Sequence, residues 1–253
     1  MKLQDSVIAV TGAGQGLGRA MAEYLAARGA RLALIDLVPE KLETAAIACR
    51  EAGGDSRIYV CNVAREDEVD ATFAAIARDF GALNGVINNA GILRDGLLIK
   101  TKDGEITQRM ELAQWQAVID VNLTGVFLCG RAAASQMIAL GNGGVIINIA
   151  SISRAGNMGQ SNYSAAKAGV SALVPVWAKE LARYGIRCMG IAPGFIETDM
   201  VASMKPEALE KMTAGIPLKR MGQPEEIAQT AAFIFENEYL SGRMIEVDGG
   251  LRL

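Results

Sequence analysis

The chain has no histidine among its 253 residues. Histidine is the usual general base near neutral pH and the commonest metal ligand. Its absence excludes Ser-His-Asp and Cys-His hydrolases and denies zinc its usual partner, so no metal site is expected. Acid–base chemistry must run through Tyr, Lys, Asp, Glu or Cys. Basic residues are not in excess either: 25 Lys and Arg stand against 28 Asp and Glu, a net charge of −3. That balance offers no basic stripe for a phosphate backbone, and a nucleic-acid partner is not expected. Cysteine is scarce and scattered. Cys49, Cys61, Cys129 and Cys188 form no CxxC pair, which reads as four buried, reduced thiols in a cytoplasmic protein. Long apolar runs are missing too, since stretches such as Gly144–Ala150 fall far short of the roughly 20 residues that span a bilayer. Met1–Val10 lacks a charged lead before a long apolar region, so neither a signal peptide nor a membrane association is expected.

What is present is a regular alternation. Short apolar, β-branched runs occur at Val7–Thr11, Arg31–Asp36, Arg57–Val60, Gly85–Asn88, Val145–Ala150, Arg187–Ala192 and Met244–Val247. Between them lie helix-like stretches near Leu17–Arg28, Pro39–Ala52, Glu66–Phe80, Leu112–Leu140, Ser161–Tyr184 and Pro224–Glu236. Near-continuous apolar strands alternating with helices predict a seven-stranded parallel sheet covered on both faces, a doubly wound α/β domain. No repeat or Pro/Gly-rich linker interrupts it, so residues 1–253 read as one domain. One segment departs from the pattern. Ile99–Arg109 reads IKTKDGEITQR, and Asp-Gly between β-formers predicts a small β-hairpin after the fourth strand.

The turn after the first strand reads TGAGQGLG, with Thr11, Gly12, Gly16 and Gly18 in a TGxxxGxG spacing. Glycines there permit a tight turn and let backbone N–H groups reach a pyrophosphate at a helix N-terminus. Asp36 closes the second strand, about 20 residues on, where a carboxylate accepts bonds from adenosine ribose hydroxyls. It also repels a 2′-phosphate, and Gln15 in the phosphate loop is no compensating cation. NAD is therefore the expected cofactor, with NADH preferred over NADPH.

Tyr163 and Lys167 are four apart in a helix-like stretch, so they share a face. A free phenol has a pKa near 10, and a neighbouring ammonium with a cationic nicotinamide is expected to lower it. Tyr163 would then exchange a proton with a substrate oxygen while hydride moves at the adjacent carbon. Ser151 ends the fifth strand of the predicted sheet, where a hydroxyl can donate to an oxygen gaining charge. Asn122 sits in an apolar helical stretch and reads as the holder of a water linking Lys167 to solvent.

With these motifs in order, the chain resembles the short-chain dehydrogenase/reductase family over its whole length. The resemblance rests on TGAGQGLG, NNAG at Asn88–Gly91, Asn122, Ser151, YSAAK at 163–167, and Pro193-Gly194. It implies a Rossmann-type fold and a catalytic tetrad of Asn122, Ser151, Tyr163 and Lys167. It implies that Gly12, Gln15, Gly16 and Leu17 meet the pyrophosphate, and that Asn62 and Val63 face the adenine. Asn89, Ala90 and Gly91 would line the cofactor floor, Tyr163 and Lys167 would reach the ribose, and Pro193, Gly194, Ile196 and Thr198 would lie at the nicotinamide. Within the family the chain is nearest to 3-oxoacyl-[acyl-carrier-protein] reductases of fatty acid metabolism, through Gly91–Asp95 (GILRD) and Ala192–Met200 (APGFIETDM). That points to reduction of a 3-oxoacyl thioester, or the reverse, with an acyl carrier protein as partner and a homotetrameric assembly. Three features differ from that group: Asp36, the hairpin, and Asn142 and Tyr184 where basic docking residues are usual. An NAD-dependent alcohol or hydroxysteroid-type dehydrogenase, and a non-catalytic dinucleotide sensor, are the alternatives. Apolar residues on several faces of the long helices, among them Val126, Phe127, Leu173, Val174 and Trp177, point to subunit pairing. The Met-containing stretch Glu197–Ile216 reads as a short helical lid.

Overall fold

A computed structural model describes residues 1–198 and 213–252. Seven strands build one parallel sheet: β1 (Val7–Thr11), β2 (Arg31–Asp36), β3 (Ser56–Val60), β4 (Gly85–Asn88), β7 (Gly144–Ile149), β8 (Ile186–Pro193) and β9 (Met244–Val247), in the order β3-β2-β1-β4-β7-β8-β9. β5 (Ile99–Lys102) and β6 (Glu105–Arg109) form the separate hairpin. The chain runs outward from β1 to β3 and returns to β4 on the other side of β1. That reversal opens a crevice outside the carboxyl ends of β1 and β4, the usual ligand position in such folds.

Every residue of β1 and β4 is buried, because helices lie on both sides. Ile8 and Val10 point toward α1 (Gly16–Ala26), α2 (Pro39–Glu51) and α7 (Pro224–Glu236), whose Met21, Leu42 and Ile227 complete that core layer. Val7 and Ala9 point the other way, toward Phe73 of α3 (Glu66–Phe80), Val126 of α5 (Gly125–Leu140) and Val174 of α6 (Ser161–Leu181). Each fully buried side chain of this size contributes about 1.5–3 kcal/mol. The four cysteines are free and buried. Burial lifts the Cys49 and Cys188 thiols to about 12, which makes them inert at neutral pH.

The segment expected as one helix at Leu112–Leu140 is interrupted. It runs as α4 (Leu112–Ile119), a π-helical turn (Asp120–Thr124) and α5. Composition alone would let this run cross a membrane, but over half of its most apolar window is buried against the protein. It is a core helix. Val126, Val174 and Trp177 likewise pack inward, so of the residues expected to mark a subunit contact Phe127 is the one well exposed, with Val176 joining it. Ser161–Tyr184 ends in a 3-10 turn at Ala182–Tyr184.

The hairpin forms on the Asp-Gly turn as expected. Asp103 and Gly104 take φ of 53° and 83°, the left-handed pair of a type I′ turn, whose twist matches that of the strands. Most of the expected lid, residues 199–212, lies outside the described residues.

Candidate active site

The site grows from the junction of β1 and β4. The Thr11 hydroxyl oxygen accepts bonds from the Asn89 and Ala90 N–H groups at 2.9 and 3.0 Å. Asn89 Nδ2 donates back to the Thr11 and Gly12 carbonyls at 3.1 and 3.3 Å. These bonds fix the Gly-rich turn on the sheet. At Gly18 a Cβ would stand 2.1 Å from the Gly12 carbonyl oxygen, so only glycine permits this approach. Gly16 has φ of 55° and open space where a Cβ would lie. Its helix α1 begins with no side-chain cap from Gln15 and no acid in the first turn. Leu17, in that turn, packs partly into the core. An uncapped helix N-terminus facing open space over glycine suits a pyrophosphate. The residues present therefore fit a dinucleotide.

Asp36, at the end of β2, is bonded to the backbone around it. Its Oδ2 accepts the Gly14 N–H at 3.0 Å, and its Oδ1 accepts the Leu37 and Val38 N–H groups at 2.7 and 3.3 Å. The expectation that no cation accompanies Gln15 is corrected: Lys41, in the first turn of α2, donates to Gln15 Oε1. Of the pair expected at the adenine, Val63 is buried against Gly125. Asn62 is half-buried, its side chain capping Ala64 N at 3.0 Å.

At the carboxyl end of β7, Ser151 accepts the Ser153 N–H at 3.1 Å, and its hydroxyl acts on the Tyr163 phenol. Lys167, one turn beyond Tyr163 on α6, is buried and donates to the Ile149 carbonyl at 2.7 Å. Its ammonium stands 5.6 Å from the Tyr163 ring centroid. Burial drives the Tyr163 phenol above its ordinary value; the Ser151 hydrogen bond offsets this in part and the Asp95 charge adds to it. The expected lowering by Lys167 is not among the effects on this group, and burial leaves Tyr163 protonated. Burial lowers Lys167 from 10.5 to about 8.

Asn122, in the π turn, is bonded to the Ile92 backbone. Its Oδ1 accepts the Ile92 N–H at 2.8 Å and its Nδ2 donates to the Ile92 carbonyl at 3.0 Å. The side chain pins the Gly91–Ile92 loop from the π turn. Gly91 lies against the same amide, 3.5 Å from its position of a Cβ. Across the crevice, β8 ends at Pro193, and a Cβ on Gly194 would stand 2.7 Å from Asp248 Cα. Ile196 is buried and bridges Gly222; Thr198, half-buried, is the last described residue on this side.

Sequence reasoning missed Asn162. It is wholly buried beside Tyr163, donating to the Arg94 and Gln114 carbonyls at 2.9 and 3.3 Å and accepting the Tyr163 N–H at 2.8 Å. Gln160 Nε2 donates to Asp95 at 2.9 Å, and Gly96 N–H to the Gly159 carbonyl at 2.8 Å. The loop leading to the hairpin is thereby clamped to the loop that leads into α6, the helix carrying Tyr163. Nothing in hydrophobic periodicity marks a contact across 68 residues. Asn142 and Tyr184 precede β7 and β8 and so lie at the amino edge of the sheet, opposite Ser151 and Tyr163.

The Lys167 shift has a consequence for stability. The unfolded lysine holds its proton to 10.5 and the folded one to about 8, so the unfolded state binds more protons between these values. Stability from this group is full above 10.5, and is lost as pH falls through about 8. Denaturation of wild type and Lys167→Met at pH 7.5, 9 and 10 should show wild type gaining relative stability as pH rises. A flat difference would mean that the ammonium is not desolvated.

A family model described as Enoyl-(Acyl carrier protein) reductase matches residues 12–252. The chain is 41% identical over 250 residues to the 3-oxoacyl-[acyl-carrier-protein] reductase of Homo sapiens, covering 98% of this chain and 99% of that one. It is 38% identical over 254 residues to the corresponding reductase of Thermotoga maritima, covering 99% of each. Among solved structures, levodione reductase superposes with a TM-score of 0.88 at 37% identity, over 98% of this chain and 97% of that one. A short-chain type dehydrogenase/reductase from Mycobacterium marinum gives 0.86 at 31% identity, over 98% and 96%. With Thr11, the Gly-rich turn, Ser151 and the Tyr163–Lys167 pair set around one crevice, the chain belongs to the short-chain dehydrogenase/reductase family of oxidoreductases.

Proposed function

We propose that this chain, acting as one catalytic domain, uses NADH to reduce a 3-oxoacyl-type thioester to its secondary alcohol, and runs the reverse with NAD. The observation that carries this reading is the pairing of Tyr163 with buried Lys167 one helical turn on, the ammonium 5.6 Å from the ring and bonded to the Ile149 carbonyl at the end of the strand that leads to Ser151. A bound nicotinamide supplies the hydride. Ser151 donates a hydrogen bond to the substrate oxygen as charge grows there. Tyr163 delivers its proton to that oxygen, a role worth roughly 10²–10⁴ in rate. Lys167 stabilises the tyrosinate left behind and, with Tyr163, holds the nicotinamide ribose. Asn122 acts by fixing the floor at Asn89–Gly91 through Ile92. Gly12, Gln15, Gly16 and Leu17 take the pyrophosphate, Asp36, Asn62 and Val63 the adenosine, and Pro193, Gly194, Ile196 and Thr198 the carboxamide side.

Asp36 supports NADH over NADPH, because a carboxylate beside the 2′-position suits a hydroxyl better than a phosphate. The free cysteines fit a reducing compartment such as the cytoplasm. Exposed Phe127 and Val176 on α5 and α6 support pairing of these helices in a homotetramer. An acyl carrier protein is the proposed macromolecular partner. The likeness to levodione reductase favours one second reading, reduction of a cyclic diketone.

A spectrophotometric screen decides between them. NADH oxidation is expected with 3-oxoacyl thioesters, faster than with cyclic diketones or simple ketones, and with higher kcat/KM than for NADPH. Faster turnover of diketones would replace the thioester reading with the second one. Equal or better kcat/KM with NADPH would remove the cofactor preference.

A further inference from the structure

Arg154 belongs to none of the motifs above, yet it follows Ser151 by three residues. Ser151 opens a 3-10 turn at Ile152–Ala155. Its hydroxyl oxygen accepts the Ser153 N–H at 3.1 Å, and its carbonyl accepts the Arg154 N–H at 3.1 Å. The place of the Ser151 hydroxyl therefore depends on where this turn is held. Arg154 supplies a hold: its Nη2 donates to Glu246 Oε1 at 2.5 Å, across 92 residues of sequence.

Glu246 lies on β9, which is separated from β7 by β8. Ile245 and Val247 pack into one core layer and Met244 into the other. Alternation along the strand puts Glu246 on the Met244 side, the side of α6 and Tyr163. The ion pair thus passes the carboxyl end of β8, where Ala192 pairs with Glu246 and Pro193 with Val247. Its two side chains are only 28% and 29% exposed, so salt and water weaken it less than an open surface pair. Arg252 bonds the other carboxylate oxygen. Arg252 first, and Arg154 after it, hold the Glu246 carboxyl below its ordinary value. Among the described residues, Arg154 Nε is buried with no hydrogen-bond partner. A buried donor left unpaired is costly, and the guanidinium bears that cost while its other end reaches Glu246.

We infer that Arg154, anchored by Glu246, is a positioning residue that sets the Ser151 hydroxyl against the substrate oxygen. This rests on the donor role proposed for Ser151. Arg154 acts through Ser151: releasing the turn moves the donor away from the oxygen that gains charge. A misplacement of about 1 Å in such a site can cost up to about 10²-fold in rate.

The test is a double-mutant cycle on the full chain, with NADH and acetoacetyl-coenzyme A as the 3-oxoacyl thioester. Arg154→Met should lower kcat by about tenfold. KM, and the Kd for NADH from fluorescence titration, should stay within about twofold of wild type. Glu246→Gln keeps a neutral acceptor and should lower kcat less; it carries the same cycle if Arg154→Met does not fold. In a Ser151→Ala background either change should alter kcat by less than about twofold, because the group being positioned is gone. A merely structural role would cost the same in both backgrounds. Unchanged kcat in Arg154→Met and Glu246→Gln, the same loss with and without Ser151, or a loss confined to KM would each overturn the assignment. If wild type reduces no thioester, or Ser151→Ala turns over like wild type, the reading of Ser151 itself fails and takes this inference with it.

Discussion

Tyr163→Phe is expected to lower kcat by about 10²-fold or more, the scale of general acid catalysis, while NADH still binds, weakened only by the phenol's share of the ribose contact. The substitution removes one oxygen and little else. The ring stays packed on α6 and Lys167 keeps its bond to the Ile149 carbonyl. What is lost is the proton donor to the substrate oxygen. Stopped-flow binding and steady-state turnover on the same preparation separate the two effects. Near-normal turnover in Tyr163→Phe would end the mechanism proposed here. Loss of NADH binding together with turnover would instead show that the phenol holds the cofactor and that its chemical role is minor.

Gly18→Val is expected to abolish measurable dinucleotide binding and to destabilise the protein by about 1–3 kcal/mol, the usual cost of forcing atoms into a packed site. The first added carbon would stand 2.1 Å from the Gly12 carbonyl oxygen and 2.6 Å from Asn89 Nδ2. Neither neighbour can retreat freely, because Asn89 also bonds the Thr11 and Gly12 carbonyls that hold the turn on β4. Gly16→Ala is the informative contrast. Open space receives its Cβ, so only the left-handed backbone is penalised, by roughly 1–2 kcal/mol. Calorimetric binding of NADH with thermal melts of both variants checks the pair. Wild-type affinity in Gly18→Val would show that the turn does not cradle the dinucleotide.

The fold was legible in the sequence where burial is symmetrical. β1, β2 and β4 are covered on both faces, so nearly all their residues are apolar and their limits stand out between Gly, Asp and Asn. The hairpin was legible because Asp103-Gly104 supplies the two left-handed residues its turn needs. Tyr163 and Lys167 were legible by helical spacing only together with the ordered motifs that carry the family resemblance. Their ionisation was not: spacing puts an ammonium near a phenol, but how much water each loses depends on packing from distant segments. The same limit hid the partners of Asn122, Asn162 and Lys41. Each bonds a segment between 26 and 68 residues away, and such contacts leave no periodic trace. The π turn at Asp120–Thr124 escaped for a related reason, since an apolar helical pattern continues through it.

Among the described residues, the hairpin joins the rest of the molecule at its base alone. Every residue of β5 and β6 is exposed, whereas Asp95 and Gly96 just before it are bonded to Gln160 and Gly159. A protease therefore has free access to the Asp103-Gly104 tip, the kind of exposed turn where nicking concentrates. Cleavage there would leave β1 to β4 on one fragment and Ser151, Tyr163 and Lys167 on the other. The two would stay together through the paired β4 and β7 strands and the Asn162 contacts, giving a nicked protein that still assembles its crevice from two pieces of chain.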